Sequence, residues 1–315
     1  MNTFGTHKVG IVGTGMVGSS FAYALMQRGL VGELVLIDAN HARAEGEAMD
    51  LNHGISFVRP MKIFAGYYED LRGADVVVVS AGVSQKPGES RLELLSRNIA
   101  VFKEIIPEIV RYNPDGIIVV VTNPVDILTY VTLKISGLPA HKVIGTGTTL
   151  DTARLRYLLG QRYDIDPRNV HTYILGEHGD SEFAAWSLTT LGAVPLKKYV
   201  SVRGVGYDPV ALEQIFLETK NAAYAIIERK SATYYAIGLS VLAIVETIIR
   251  HQHTILPVST MMSGQFGVSD VCISLPTIIG RDGVEEVMNI TLSDDEIALF
   301  QNSARILRSR IVETL

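Results

Sequence analysis

His178 stands in the run Gly176-Glu177-His178-Gly179-Asp180, directly after the apolar stretch Val170 to Leu175. An imidazole flanked by glycine at a strand end is placed by the backbone, opens onto a cleft and exchanges a proton near neutral pH. By itself such a histidine is usually structural. Upstream, Asp151-Thr152-Ala153-Arg154 sets a carboxylate and a guanidinium at i and i+3, on one face of a helix. Arg154 offers a planar fork that matches a carboxylate bidentately, although the pair also reads as a surface ion pair. Arg91 lies in Ala81 to Asn98 (AGVSQKPGESRLELLSRN), where Gly82, Pro87 and Gly88 disfavour regular structure. Such a segment is either a lid that carries Arg91 onto a substrate or a solvated charged loop. Asn123, after an apolar run, and Ser231-Ala232-Thr233-Tyr234-Tyr235, at a break in a helical pattern, say little alone.

A second set of residues points to phosphate. Gly13, Gly15 and Gly18 form G-x-G-x-x-G between an apolar strand, Val9 to Val12, and a helical run ending near Arg28. A second strand, Glu33 to Ile37, ends at Asp38, 25 residues after Gly13. This is the order of a dinucleotide-binding βαβ unit. One glycine permits the tight turn, one lets backbone N–H groups reach a pyrophosphate, and one lets helix and strand pack. The helix N-terminus adds partial positive charge. The expected contacts are Gly13, Thr14, Gly15, Met16, Val17 and Gly18. Asp38 can accept from both ribose hydroxyls and would repel a 2′-phosphate, which favours NAD over NADP.

The elements that must position these groups alternate in the first half. Asp75 to Ser80 (DVVVVS) and Gly116 to Val121 (GIIVVV) read as parallel strands buried on both faces. Their turns, Ala81-Gly82 and Thr122-Asn123-Pro124, should line the cofactor cleft, because ligands sit beyond the carboxyl ends of such strands. The second half reads as a helix over Asp151 to Leu159 with Gly160 at its end, a strand over Val170 to Leu175, and long helical patterns from Pro209 to Ile249. Strands follow at Val271 to Ser274 and Val287 to Leu292. Ser293 to Glu296 is a capping box that opens an amphipathic helix through Ile297, Phe300, Ala304, Leu307 and Ile311. The fold class expected is α/β: a Rossmann-type doubly wound parallel sheet (1–145) followed by an α+β catalytic, substrate-binding domain (146–315).

Bulk properties narrow the classes. A chain of 315 residues suits two domains, and 47% hydrophobic with 19% charged residues suits well-packed cores. The net charge of −5 argues against a nucleic-acid or anionic-membrane surface. Cys272 is the only cysteine, so neither an internal disulfide nor a cysteine metal cluster can form, and no metal is expected. The longest apolar segment, Tyr234 to Val245, holds Ser240 and stops at Glu246, too short for a bilayer. Only eight residues precede the first strand, so a cytoplasmic protein is expected.

The ordered motifs VGTGMVG, TNPVD, LDTAR, GEHGD and SATYY span nearly the whole chain and resemble the L-lactate/L-malate dehydrogenase family. The resemblance implies that His178 is the proton donor and acceptor, that Asp151 holds its ring and stabilises the imidazolium, and that Arg154 binds the substrate carboxylate. Arg91 would polarise the carbonyl, and Asn123 and Thr233 would help position substrate and His178. Ala81, Gly82, Asn98, Thr122, Asn123 and Ile237 would join the NAD contacts, Ile237 near the nicotinamide. The implied reaction is hydride transfer between the nicotinamide and a keto acid, with the proton handled by His178.

Within this family the position of Gln85, six residues before Arg91, faces the far end of the substrate, and malate enzymes carry arginine there. Oxaloacetate brings a second carboxylate that needs a positive partner, whereas an arginine facing pyruvate's methyl would be desolvated and unpaired. Gln85 therefore favours pyruvate and L-lactate, and Glu177 and Trp186 also look like that branch. The rival readings are a malate enzyme and a catalytically silent NAD-binding protein. Arg156 lies about 200° around the helix from Arg154 and must serve another surface. With His171 it resembles the pair that, in bacterial members, binds fructose 1,6-bisphosphate between subunits. A homotetramer with that effector site is the expectation; ordinary surface or interface residues are the alternative.

Overall fold

The computed structural model describes residues 6–83 and 91–314, of Arg91 the backbone alone. The first half runs β1 (Lys8–Val12), α1 (Met16–Arg28), β2 (Glu33–Ile37), α2 (His41–His53), β3 (Lys62–Ala65), β4 (Val76–Val79), α3 (Arg91–Tyr112), β5 (Ile117–Val120), α4 (Val125–Ser136) and β6 (Val143–Gly145). The second half runs α5 (Thr149–Tyr163), five short strands, two long helices, three further strands and a terminal helix. The short strands are β7 (Val170–His171), β8 (Ile174–Leu175), β9 (Phe183–Ala184), β10 (Thr190–Leu191) and β11 (Val194–Pro195). Then come α6 (Pro209–Lys230), α7 (Tyr235–Arg250), β12 (Thr254–Ser263), β13 (Ser269–Gly280), β14 (Gly283–Val287) and α8 (Asp294–Thr314).

Among the described residues, nine strands form one sheet in the order β14-β13-β12-β6-β5-β4-β1-β2-β3. β1 to β6 pair in parallel, and β1 lies between β2 and β4, where the winding reverses. Every residue of β4 and β5 is buried, which is why these strands read as unbroken apolar runs. The sheet does not stop with the first half. Ser259 of β12 pairs antiparallel with Gly145 of β6, and β13 and β14 extend the sheet outward. This seam is narrow. A Cβ at Gly145 would lie 2.2 Å from the Thr129 hydroxyl, and one at Gly147 would lie 2.5 Å from the Ser259 amide.

The core lies on both faces of the sheet. One face carries Phe21, Leu25, Leu51, Val241 and Val245, from α1, α2 and α7. The other carries Phe102, Ile106, Leu128, Phe300 and Leu307, from α3, α4 and α8. α7 thus crosses back onto the first half, and Gly238 lets it approach: a Cβ there would stand 3.0 Å from the Ser20 backbone. The ion pair Arg28–Glu246, at 2.9 Å, fastens the same contact. A third cluster joins α5 and α6 through Leu155, Leu159, Tyr163 and Leu212.

Several element boundaries differ from the sequence expectation. The helix carrying Asp151 runs from Thr149 to Tyr163 and ends on Asp164, left-handed at φ 55°. Gly160 is inside it, where a Cβ would meet the Ile165 carbonyl at 2.9 Å; it serves a close approach and not a helix end. The run Val170 to Leu175 splits because its two ends pair with different partners, β7 with β10 and β8 with β9. Val271 to Ser274 is the middle of the longer β13, and β14 ends at Val287, where Met288 turns its amide to the Pro276 carbonyl. The segment Ala81 to Asn98 is not loop throughout, since α3 begins at Arg91. The capping box at Ser293 forms as read: the Ser293 amide donates to Glu296 at 2.9 Å, and the Glu296 amide donates to the Ser293 hydroxyl at 3.3 Å. Among the described residues no helix is long and apolar enough to cross a membrane. Cys272 is buried, and burial pushes its thiol up.

Candidate active site

The glycine-rich turn after β1 divides its work as the sequence suggests. Gly13 adopts φ 100°, and a Cβ on it would lie 2.4 Å from the Ala81 amide. At Gly18 a Cβ would lie 2.0 Å from the Gly13 carbonyl. At Gly15 it would meet no described residue within 4 Å. No side chain caps α1 and no acidic residue stands in its first turn, which leaves the amides at its N-terminus to an anion. Thr14 is buried and donates from both its amide, at 2.8 Å, and its hydroxyl, at 3.0 Å, to Oδ2 of Asp38. The Asn40 amide donates to Oδ1 at 2.9 Å. Asp38 is thereby fixed against the loop. Met16 is exposed and Val17 half-buried at the mouth of the helix. These groups fit a dinucleotide.

Across the point where the winding reverses, Ala81, Gly82, Thr122 and Asn123 come together. The Thr122 hydroxyl donates to the Ala81 carbonyl at 2.7 Å, and Gly82 is needed because a Cβ would stand 2.5 Å from the Thr122 methyl. Asn98, buried on α3, ties the two turns: it accepts from the Val83 amide at 2.8 Å and donates to the Asn123 carbonyl at 3.1 Å. Asn123 itself is exposed at the strand end, and its bond to Pro124 is cis.

Asp151 and Arg154 lie in the first two turns of α5 and share a face. Arg154 Nη1 donates to Asp151 Oδ1 at 2.8 Å, and His178 Nδ1 meets Asp151 Oδ2 at 2.5 Å. Asp151 is 2% exposed, so the carboxylate is held in place between two cations and does not form a surface pair. The His178 amide donates to Asp126 Oδ2 at 2.7 Å. Asp126 lies in the first turn of α4, which follows β5 through the Thr122–Pro124 turn, so this bond ties the histidine loop to the helix behind that turn.

The loop is also anchored from behind. Gly176 (φ 93°) exchanges backbone hydrogen bonds with Ser274 of β13. Glu177 is buried; its amide donates to Ser303 at 2.7 Å, and its carboxylate accepts from Arg310 at 2.5 Å and from the Ser181 hydroxyl at 2.5 Å. Glu177 is therefore a brace to α8, a role the sequence alone did not reveal. Asp126 and the buried Glu182 are further members of the site that motif reading passed over. Their signals were present only as acids inside TNPVD and after GEHGD.

The electrostatics follow from burial and pairing. For His178, burial favours the neutral ring, but the Asp151 carboxylate outweighs it and raises the imidazole to about 9. For Asp151, burial is overcome by His178 and Arg154, which hold the carboxyl below its ordinary value. Burial raises Asp126 to about 6. An imidazolium, a fixed carboxylate and a guanidinium with one side open can hold a substrate carboxylate and transfer a proton.

Of the other expected residues, Thr233 is half-buried between α6 and α7, and Ile237 stands in the first turn of α7, packed on the core beneath β1. Arg91 opens α3; its side chain and all of Gln85 lie outside the described residues. Arg156 and His171 line one cavity of about 450 Å³. Arg156 donates to the carbonyls of Pro167 and Arg168, both at 3.2 Å, and burial lowers its pKa.

Comparison with known proteins agrees with this geometry. Residues 7–145 match the lactate/malate dehydrogenase NAD-binding domain, and residues 148–315 match the alpha/beta C-terminal domain of the same family. An L-lactate dehydrogenase of Acetivibrio thermocellus is 53% identical over 308 residues, covering 98% of this chain and 97% of the relative. One from Thermoanaerobacterium saccharolyticum is 50% identical over 300 residues, 95% of this chain and 96% of the relative. The crystal structure of a minor L-lactate dehydrogenase from Enterococcus mundtii, in a ligand-bound form, superimposes with a TM-score of 0.95 at 45% identity and 98% coverage of both chains. The chain belongs to the lactate/malate dehydrogenase family and is an NAD-dependent oxidoreductase.

Proposed function

We propose that the protein is an L-lactate dehydrogenase that interconverts pyruvate and L-lactate with His178 as acid and base. One observation carries the reading: Arg154, Asp151 and His178 form a continuous chain at 2.8 and 2.5 Å, linked through Asp126 to the first turn of α4. The names of the half-identical relatives support the substrate. NAD supplies or takes the hydride when bound, held by the Gly13–Gly18 turn, Asp38 and the turns at Ala81–Gly82 and Thr122–Asn123. Arg154 clamps the substrate carboxylate. Protonated His178 gives its proton to the keto oxygen during reduction and recovers it from the hydroxyl during oxidation. Asp151 accepts from Nδ1, which fixes the ring and stabilises the cation. Arg91 counters charge growing on the oxygen. Thr233, Asn123 and Ile237 border substrate and nicotinamide.

Gln85 sets the choice of pyruvate over oxaloacetate. Loss of NADH absorbance with each keto acid tests this. Pyruvate is expected to be the better substrate, and Gln85→Arg is expected to swing the kcat/KM ratio toward oxaloacetate by roughly a hundredfold or more, the scale of pairing a desolvated carboxylate. An unchanged ratio would remove the assignment.

Arg156 and His171 form an effector site for fructose 1,6-bisphosphate in a homotetramer. Two features support this: the shared cavity, and an apolar hollow of about 730 Å³ flanked by exposed Tyr23, Tyr235 and Leu239, a surface suited to another subunit. Titrating the bisphosphate is expected to lower the pyruvate KM, less so in Arg156→Gln. A KM indifferent to the bisphosphate would leave the two residues as ordinary interface groups.

A further inference from the structure

The acid/base site contains a third carboxyl group that the reaction above does not use. Glu182 follows His178 by four residues, just before β9, and is 6% exposed. Among the described residues its buried Oε1 has no hydrogen-bond partner. A buried carboxylate oxygen left unpaired is costly, so the position needs a reason. The reason is its company: one oxygen of Glu182, one of Asp151 and a ring nitrogen of His178 all lie within 4.8 Å of one another. The charged groups acting on Glu182 are Asp151 and Arg154 of α5, His178 of the adjoining loop, and Lys220 of α6. Asp126 of α4 and Asp151 act on the imidazole. Lys220 is itself engaged, donating to the Asp180 carbonyl at 2.6 Å.

Two carboxyl groups this close cannot both ionise cheaply. Asp151 keeps the charge, because it holds both His178 and Arg154 directly. Glu182 keeps the proton. We propose that Glu182 is a positioning residue of the proton chemistry, a second acid whose ionisation holds the proton on His178. The proposal rests on His178 being the acid and base. Burial raises Glu182 to about 8, the Asp151 charge adding to the effect, whereas His178 stands at about 9. Lying this close, Glu182 and His178 titrate as an interacting pair as pH climbs. The negative charge it gains opposes deprotonation of the imidazole, and the donor stays loaded further into the alkaline range.

Glu182→Gln keeps the shape and cannot ionise. In this variant kcat/KM for pyruvate is followed across pH, and the position of the profile, not its level at one pH, carries the test. The alkaline fall of kcat/KM for pyruvate is expected to move down by about half to one pH unit, as for a lost neighbouring charge. Glu182→Asp should restore most of the parent profile. An alkaline limb unmoved in Glu182→Gln would overturn the proposal, as would an equal loss at every pH in a variant with unchanged circular dichroism. Should the variant fail to fold, infrared difference spectra of the parent enzyme decide: one protonated-carboxyl band is expected to vanish between neutral and alkaline pH, and its absence would refute the idea. A failure of the His178 assignment looks different, because His178→Asn would then retain its activity whatever Glu182 does.

Discussion

His178→Asn is expected to lower the rate of pyruvate reduction by about a hundred- to ten-thousandfold, the range for removing a positioned general acid. Asparagine can still donate an amide hydrogen to Asp151, and Arg154 remains at 2.8 Å from that carboxylate, so the buried charge keeps partners. The loss would then report proton transfer and not collapse of the site. The pH profiles carry the same prediction with a sign. The folded imidazole titrates at about 9, above its ordinary value, because Asp151 outweighs the effect of burial. Reduction needs the protonated ring, so its chemical step should hold at neutral pH and fall as pH rises through about 9. Oxidation of lactate needs the neutral ring and should rise through the same range. Single-turnover measurements in both directions separate these limbs, and the asparagine variant should lose both. A loss smaller than about tenfold is less than general acid catalysis contributes and would end the assignment.

Arg154→Gln should act through two routes. In the proposed reaction the guanidinium receives the substrate carboxylate, and its removal is expected to raise the pyruvate KM by about a hundred- to a thousandfold. It is also one of the two cations that hold the Asp151 carboxyl below its ordinary value. A carboxyl depressed in the folded state lends stability above its unfolded pKa and loses it as pH falls through the folded one. Without Arg154 the folded value rises, so this contribution fades at a higher pH during acidification. The acid-unfolding midpoint of Arg154→Gln should therefore lie above that of the parent. A parental KM would show that the substrate carboxylate is bound elsewhere, and a parental midpoint would show that His178 alone fixes Asp151.

Much of the site is legible in the chain because its parts are local. The turn from Gly13 to Gly18, the acid ending β2 and the i,i+3 pair on α5 each announce themselves within one element; in the structure Thr14 of the turn bonds Asp38, and the pair bonds through Asp151 to His178. What the sequence hides depends on partners far along the chain. Glu177 is explained only by Arg310 and Ser303, 133 and 126 residues away. Asp126 matters because the His178 amide reaches it across 52 residues. Glu182 has no motif of its own, and only folding shows that it faces Asp151. Gly160 misled for a related reason: a glycine near a helix end suggests a stop, but here it makes room for the chain at Ile165. The split between β7 and β8 depends on which strands each meets, and periodicity over six residues does not encode that.

The glycine-lined join between β6 and β12 has a mechanical consequence. No side chain fits at Gly145 or Gly147 without wedging the strands apart, and α7 clamps the two halves a second time through Gly238 and the Arg28–Glu246 pair. Separating the two portions would have to break both of these contacts. On heating, the two halves of the chain should melt as a single cooperative unit, giving one calorimetric peak.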